Sequence, residues 1–225
     1  MADNSKLACA KKALDFVKPG MSVGLGTGST SEIFIDLLGK KNKEEDMDLS
    51  CVATSRASEE QAKRLGLLLV EFSKVDSLDA AFDGADQVDP KFNLIKGLGG
   101  ALVREKIVDY RARRFYVMVG ENKLVKSLSG VVPVEAIPMS EEHVRRELVG
   151  MGASSAPTRM DGAKKFMSDN GNVILHADFP KIPDPKALET DIMRLPGVVD
   201  NGIFTSRNVA VIVGKPNGTS KVLEQ

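Results

Sequence analysis

The sequence predicts an α/β protein: a Rossmann-like parallel sheet with helices on both faces, plus a smaller α+β (ferredoxin-like) lobe. Three observations carry this. Short apolar runs alternate with amphipathic stretches through the first half of the chain, the pattern of a parallel sheet whose crossovers are helices. Glycine-rich segments at 24–28 and 96–100 stand at strand-to-helix junctions. From Val131 the texture changes to short strands and helices with frequent prolines. Residues 1–130 with 206–225 are therefore expected to form a Rossmann-like domain, and 131–205 the smaller lobe.

The elements follow in order. Leu7, Ala10, Leu14 and Val17 recur at helical spacing, and Pro19-Gly20 breaks that helix. Residues 21–25 read as a short buried strand, followed by a glycine-rich turn and a helix with Ile33, Phe34, Leu37 and Leu38 on one face. A charged loop at 40–48 leads to a strand at 49–53, a helix at 56–65 ended by Gly66, and a strand at 67–72. A strand at 78–82 runs into Asp83-Gly84-Ala85-Asp86, and the second glycine-rich segment opens a helix from Ala101 to about Arg111. Residues 115–119 form an apolar strand. Strands near 131–137, 153–160 and 172–177 then alternate with helices at 140–149 and 185–194, and the apolar run 209–213 is suited to return to the first sheet.

Composition narrows the function. Lys plus Arg number 31 and Asp plus Glu number 31, a balance unlike the basic excess that nucleic-acid binding or an anionic membrane surface demands. No run of 18 apolar residues is present to span a membrane. Cys9 and Cys51 cannot build a disulfide framework, which points to a reducing, cytoplasmic compartment. The first residues, Met1-Ala2-Asp3-Asn4-Ser5-Lys6, show neither signal-peptide nor transit-peptide character. With two His and two distant Cys, no metal site is expected. Carboxylates, lysines and backbone must supply the chemistry, with His143 and His176 read as ordinary helix and strand residues.

Three motifs are candidates. In Gly24-Leu25-Gly26-Thr27-Gly28-Ser29-Thr30, glycines let backbone N–H groups approach an anion, hydroxyls add donors, and the following helix adds its dipole. Ser29 stands where the dinucleotide fingerprint needs glycine, and no P-loop lysine is present, so a small phosphate ester is favoured over a nucleotide. The competing reading is a plain turn with Ser29 or Thr30 as the helix cap. Asp83-Gly84-Ala85-Asp86 lies at a strand's C-terminal end, where open α/β sheets place ligands. Its two carboxylates suit a polyol and proton movement between oxygens, although an Asp-Gly turn beside a capping Asp has the same appearance. In the third motif, Lys96 precedes a helix start and Glu105 lies in that helix, off the apolar stripe of Val103, Ile107 and Tyr110. That position fits either an exposed residue on a solvated face or a base facing the strand rim.

Together these motifs resemble type A ribose-5-phosphate isomerase over nearly the whole chain. The matching residues are G-L-G-T-G-S-T at 24–30, D-G-A-D at 83–86, K-G-L-G-G-A at 96–101 and R-E-K at 104–106. Pro133-Val134-Glu135, Ile137-Pro138-Met139, Asp169-Asn170-Gly171-Asn172 and Pro196-Gly197-Val198 also match. The resemblance implies interconversion of D-ribose 5-phosphate and D-ribulose 5-phosphate through a cis-enediolate, without cofactor, in the non-oxidative pentose phosphate pathway. It puts Thr27, Gly28, Ser29 and Thr30 on the substrate, their loop at the phosphate, with Lys6 nearby. It gives Asp83 and Asp86, with Gly84 and Ala85, the sugar hydroxyls and ring opening. Lys96, followed by Gly97, Leu98 and Gly99, is given the developing oxyanion, Glu105 the role of base, and Lys123 a further substrate contact. The implied partners are a small sugar phosphate and a second copy of the chain, as homodimer or homotetramer. Two departures stand out: Gln87, where the family often has Glu, and Leu98, where it often has Gly. A related sugar-phosphate deaminase or isomerase and a non-catalytic sugar-phosphate sensor are the alternatives.

Overall fold

The structure, a computed structural model, describes residues 4–205 and 208–224. In chain order, α1 is Asn4–Ala13, β1 Ser22–Leu25, α2 Ser29–Glu45, β2 Ser50–Ala53, α3 Arg56–Arg64, β3 Leu68–Leu69 and β4 Leu78–Gly84. Next come β5 Gln87–Val88, β6 Leu94–Ile95, α4 Leu102–Arg111, β7 Ala112–Gly120, β8 Gly130–Ala136 and α5 Glu141–Gly150. The chain ends with β9 Met160–Asp161, β10 Lys164–Lys165, β11 Val173–Phe179, α6 Pro185–Met193, β12 Val198–Asn201, β13 Ile203–Phe204, β14 Val209–Gly214 and β15 Ser220–Glu224.

Two compact units emerge. The first takes the described residues through Ala85, Arg104–Leu124, and those from 208 onward; the second takes Asp86–Val103 and Val125–Thr205. Segment 86–103 was expected in the first domain but packs in the second. The reason is strand pairing: β5 and β6 form an antiparallel pair, and β6 pairs with β13 of the same unit.

The first unit is a seven-stranded sheet in the order β15-β14-β7-β4-β1-β2-β3. All its neighbouring strands are parallel except β15, which runs antiparallel to β14. The apolar run 209–213 thus returns to the first sheet, beside β7. Strands β1, β2 and β3 step outward on one side, and the chain then crosses back to place β4 on the other side of β1. That reversal is a topological switch point, where the loops at the strands' C-terminal ends diverge and leave a crevice.

Residues alternate across this sheet with period two. Val23, Leu25, Ala80, Phe82, Met118 and Ile212 face a core completed by Cys9 and Ala13 of α1, Phe34, Ile35 and Leu38 of α2, and Ala62 of α3. Phe34 stacks on Phe82 at 4.6 Å and Phe82 on Tyr116 at 5.0 Å. Burial of each such ring contributes on the order of 1.5–3 kcal/mol. On the opposite face, a Cβ at Gly24 would meet Val108 at 2.7 Å and Ala81 at 2.9 Å. Gly24 is therefore what lets α4 lie close on β1 and β4.

The second unit is built on a three-stranded antiparallel sheet, β11-β8-β12. Val132, Val134 and Ala136 of β8 face a core with Val144 and Leu148 of α5 and Ile192 of α6. Phe179, Ile203 and Phe204 are buried in this unit. Strand structure near 153–160 is confined to β9 and isolated bridges, Ser155 to Asp178 and Thr158 to Leu175.

Candidate active site

In the first unit, the residues at the C-terminal edge of β1, β2 and β4 form one hydrogen-bonded web. Gly26 N–H donates to the Phe82 carbonyl at 2.9 Å, which ties the turn after β1 to β4. Asp83, fully buried, accepts three hydrogen bonds on Oδ1: from Thr27 N–H at 3.0 Å, Ser31 Oγ at 2.9 Å and Gly84 N–H at 2.7 Å. Such bonds to a carboxylate are the strong class, so they fix its orientation. The Thr27 hydroxyl is engaged elsewhere: it donates to Ser55 Oγ at 2.8 Å and lies 2.7 Å from Thr54 Oγ1. Ser58 Oγ donates to the Gly26 carbonyl at 2.6 Å. Ser31, Thr54, Ser55 and Ser58 belong to none of the three sequence motifs; the hydroxyl cluster opening α3 is the sequence signal for them.

The start of α2 decides between an anion site and a plain turn. Gly28, with φ of 101°, is the N-cap, and no side chain caps the helix. Neither Ser29 nor Thr30 fills that role. The first-turn N–H groups, from Ser29, Thr30 and Ser31, therefore open a 17-residue helix without a side-chain cap. Its dipole points positive at the same place, the combination that binds phosphate. Lys6 Nζ donates to Ser29 Oγ at 3.0 Å, so a lysine stands beside this turn. Lys123 lies in the short helical turn Glu121–Lys123, directly after β7 at the same edge.

Helix α4 corrects one reading and sharpens another. Of the expected core stripe only Val103 is buried: Ile107 is 46% and Tyr110 43% accessible. Glu105 is 3% accessible, so it is buried and not on a solvated face. Register shows where. The helix ends at Arg111 and the chain enters β7, whose first residue Ala112 pairs with Leu78 at the start of β4. Hence α4 runs back along the sheet, and its N-terminal turns lie toward the strands' C-terminal edge. Val108 sits over Gly24 and Ala81. Glu105, three residues earlier, is roughly 4.5 Å closer to that edge, on the face that carries Asp83 by its alternation with Ala81.

In the second unit, Lys96 is 2% accessible. Its N–H donates to the Gly202 carbonyl at 2.9 Å, and its Nζ stands 5.4 Å from the Phe204 ring centre. Gly97 and Gly100 have φ of 90° and 97°, and Gly100 N–H closes the turn onto the Gly97 carbonyl at 2.9 Å. Asp86 N–H donates to the Ile95 carbonyl at 2.8 Å, and Asp86 Oδ2 accepts the Leu98 N–H at 3.3 Å. The two departures are explained locally. Gln87 exchanges two bonds with the Ser129 peptide, donating to its carbonyl at 2.7 Å and accepting its N–H at 3.1 Å. A Glu could supply only the acceptor. Leu98 keeps its φ out of the left-handed region and leaves its side chain 38% accessible.

Among the described residues, no group of three or more His, Cys, Asp and Glu is arranged to hold a metal. No described helix is long and apolar enough to cross a membrane. His143 is exposed, and burial followed by the charge of Arg159 pushes the His176 imidazole below its ordinary value.

A phosphate-ready helix start at the sheet's switch point, with the buried carboxylates Asp83 and Glu105 in the same unit, is the arrangement of an α/β protein that holds a small phosphate ester. The family model described as Ribose 5-phosphate isomerase A (phosphoriboisomerase A) matches residues 50–218. The chain is 44% identical to Ribose-5-phosphate isomerase A of Thermococcus kodakarensis, over 98% of each chain. It is 43% identical to that of Pyrococcus horikoshii at the same coverage. Its fold superimposes with a TM-score of 0.93 on ribose 5-phosphate isomerase A of Methanocaldococcus jannaschii, 41% identical over 98% of each chain. A D-ribose-5-phosphate isomerase in complex with phospho-erythronic acid also gives a TM-score of 0.93, at 42% identity over 98% of this chain and 97% of that one. The chain belongs to the ribose 5-phosphate isomerase A family and is an aldose–ketose isomerase.

Proposed function

We propose that Glu105 carries the proton between C1 and C2 as this enzyme interconverts D-ribose 5-phosphate and D-ribulose 5-phosphate. The observation that carries this reading is the burial of Glu105 on the sheet-facing side of α4, one turn from Val108, toward the edge where the uncapped α2 begins. The substrate phosphate sits on the Ser29, Thr30 and Ser31 N–H groups with Lys6 and Lys123 as countercharges. Binding at that distant group orients the reacting carbons.

Asp83 and Asp86 hold the sugar hydroxyls and pass a proton between the C1 hydroxyl and the ring oxygen, which opens the ring. Glu105 then removes the C2 proton, and the C1 carbonyl oxygen takes up the charge as a cis-enediolate. Lys96 donates to that oxygen; a positioned donor of this kind contributes roughly 3–4 kcal/mol to the transition state. Return of the proton to C1, with transfer of the C2 hydroxyl proton to the C1 oxygen, gives the ketose. One carbon is oxidised as its neighbour is reduced, so the reaction consumes no external electron acceptor and calls for no cofactor. Phospho-erythronic acid, bound by a related isomerase, supports this route, because it is a sugar phosphate whose carboxylate is, like the enediolate, a planar anion. A non-catalytic sensor would gain nothing from buried Glu105 and Lys96. The working form is a cytoplasmic homodimer or homotetramer.

Glu105→Gln keeps the shape of the side chain and removes the base. Turnover of ribose 5-phosphate should fall by about 10²–10⁴, while inorganic phosphate inhibition constants stay unchanged. Normal turnover by this variant would remove Glu105 from the base role.

A further inference from the structure

Arg159 has no role in the mechanism above, yet it grips the loop that follows Lys96. Its Nη1 donates to the Leu98 carbonyl at 2.9 Å, and its guanidinium lies 3.7 Å over the Phe166 ring. The backbone beneath it is fixed: Arg159 N–H donates to the Ile174 carbonyl at 2.8 Å, and its own carbonyl accepts Phe166 N–H at 3.0 Å. The fit is close on the loop side as well. A Cβ at Gly100 would fall 2.6 Å from both Arg159 Nη1 and the Phe166 ring.

A trans peptide points its carbonyl and its N–H in opposite directions. Holding the Leu98 carbonyl therefore sets the direction of the Gly99 N–H, which faces away from Arg159. The preceding peptide is held too, because the Leu98 N–H donates to Asp86 Oδ2 at 3.3 Å. A charged donor on a carbonyl also polarises the N–H of the same peptide and strengthens it as a donor. Gly99 itself is exposed.

We propose that Arg159 is a positioning residue that aims and polarises the Gly99 N–H as a second donor to the oxyanion that Lys96 meets. The inference rests on the isomerase mechanism proposed above. Three features favour it over simple bracing: a planar fork stacked on an aromatic ring, a carbonyl acceptor inside the lysine-glycine motif, and a backbone anchored to strand β11.

The test compares Arg159→Met and Arg159→Lys with the unmodified enzyme in steady-state isomerisation of ribose 5-phosphate. Arg159→Met should lower kcat about 10-fold or more, since a misdirected donor forfeits part of the 10²–10³ that one such donor supplies. KM and the inhibition constant of inorganic phosphate should stay within twofold. Arg159→Lys, which keeps the charge without the fork, should retain an intermediate kcat. Guanidinium ion at low millimolar concentration should restore activity to Arg159→Ala and leave the unmodified enzyme unchanged. An unchanged kcat in Arg159→Met overturns the proposal. So does a loss that tracks only the folded fraction by circular dichroism, or a loss that guanidinium does not relieve. Absence of turnover by the unmodified enzyme would instead strike the isomerase mechanism itself, which keeps the two failures apart.

Discussion

Gly26→Ala is the sharpest test of how the phosphate turn and the carboxylate are coupled. A Cβ at Gly26 would lie 2.1 Å from Asp83 Oδ1, 2.2 Å from its Cγ and 2.6 Å from its Cα. Rotation of the side chain can clear the first two but not the third, which is backbone of β4. That third separation must open from 2.6 Å to about 3.4 Å, the near limit of ordinary van der Waals distance. Movement on that scale breaks into the Gly26 N–H bond to Phe82 at 2.9 Å and the Thr27 N–H bond to Asp83 at 3.0 Å. Overpacking costs about 1–3 kcal/mol, and a lost bond to a charged acceptor about 1.5–3 kcal/mol. The expected destabilisation is thus about 3–5 kcal/mol, a large share of an ordinary domain's stability. Urea denaturation should show a lower midpoint at unchanged slope, and kcat/KM measured well below that midpoint should fall because Asp83 is displaced. An alanine enzyme with the original midpoint and kcat/KM would refute the claim that β1 and β4 are held this close by necessity.

Three further outcomes follow from single contacts. Lys6→Ala removes a half-buried lysine 3.0 Å from Ser29 Oγ; KM and the phosphate inhibition constant should rise up to about fivefold with kcat little changed, the effect of one partly solvated charge. Gln87→Glu turns the donor to the Ser129 carbonyl at 2.7 Å into a carboxylate oxygen; denaturant unfolding should register a loss of about 1–2 kcal/mol. Burial pushes the Cys51 thiol from 9.0 up to about 12. The native state therefore keeps a proton that the unfolded chain releases, so this contribution is complete below pH 9 and declines as pH rises toward 12, by at most about 1.4 kcal/mol per unit. Cys51→Ala should flatten that part of the stability–pH curve, and Cys51 in the native enzyme should resist iodoacetamide at pH 8.

The parts of this protein legible in its sequence are those governed by local rules. Short apolar runs and glycine-rich turns mark β1, β2 and β4 to within two residues and β7 to within three, because a buried parallel strand tolerates little else. The phosphate turn is legible because an uncapped helix start needs glycine just where Gly28 stands. What failed to show is set by partners distant in sequence. Segment 86–103 sides with the second unit because β6 pairs with Ile203 and Phe204, more than a hundred residues later. Ser31 is a helix residue like any other until the fold brings Asp83 to 2.9 Å from it.

Helix α4 shows why the catalytic base is hidden from pattern reading. By spacing alone, Val103, Ile107 and Tyr110 form the apolar stripe and Glu105 belongs to water. The fold splits this stripe: Val103 is buried with Leu102 and Val108, Ile107 and Tyr110 face outward, and Glu105 and Asp109 are 3% and 1% accessible. Withdrawing a carboxylate from water costs several kcal/mol unless surrounding groups answer its charge, and exposing an isoleucine forgoes part of what its burial contributes. A sequence chosen for stability alone would not place a carboxylate on the buried face beside Leu102 and Val108. Local preference and global fold disagree here, and such disagreement concentrates at working sites. It follows that Glu105→Leu should preserve or raise resistance to denaturant while abolishing turnover. If it unfolded the protein instead, Glu105 would be a structural ion, and the base would have to be sought elsewhere.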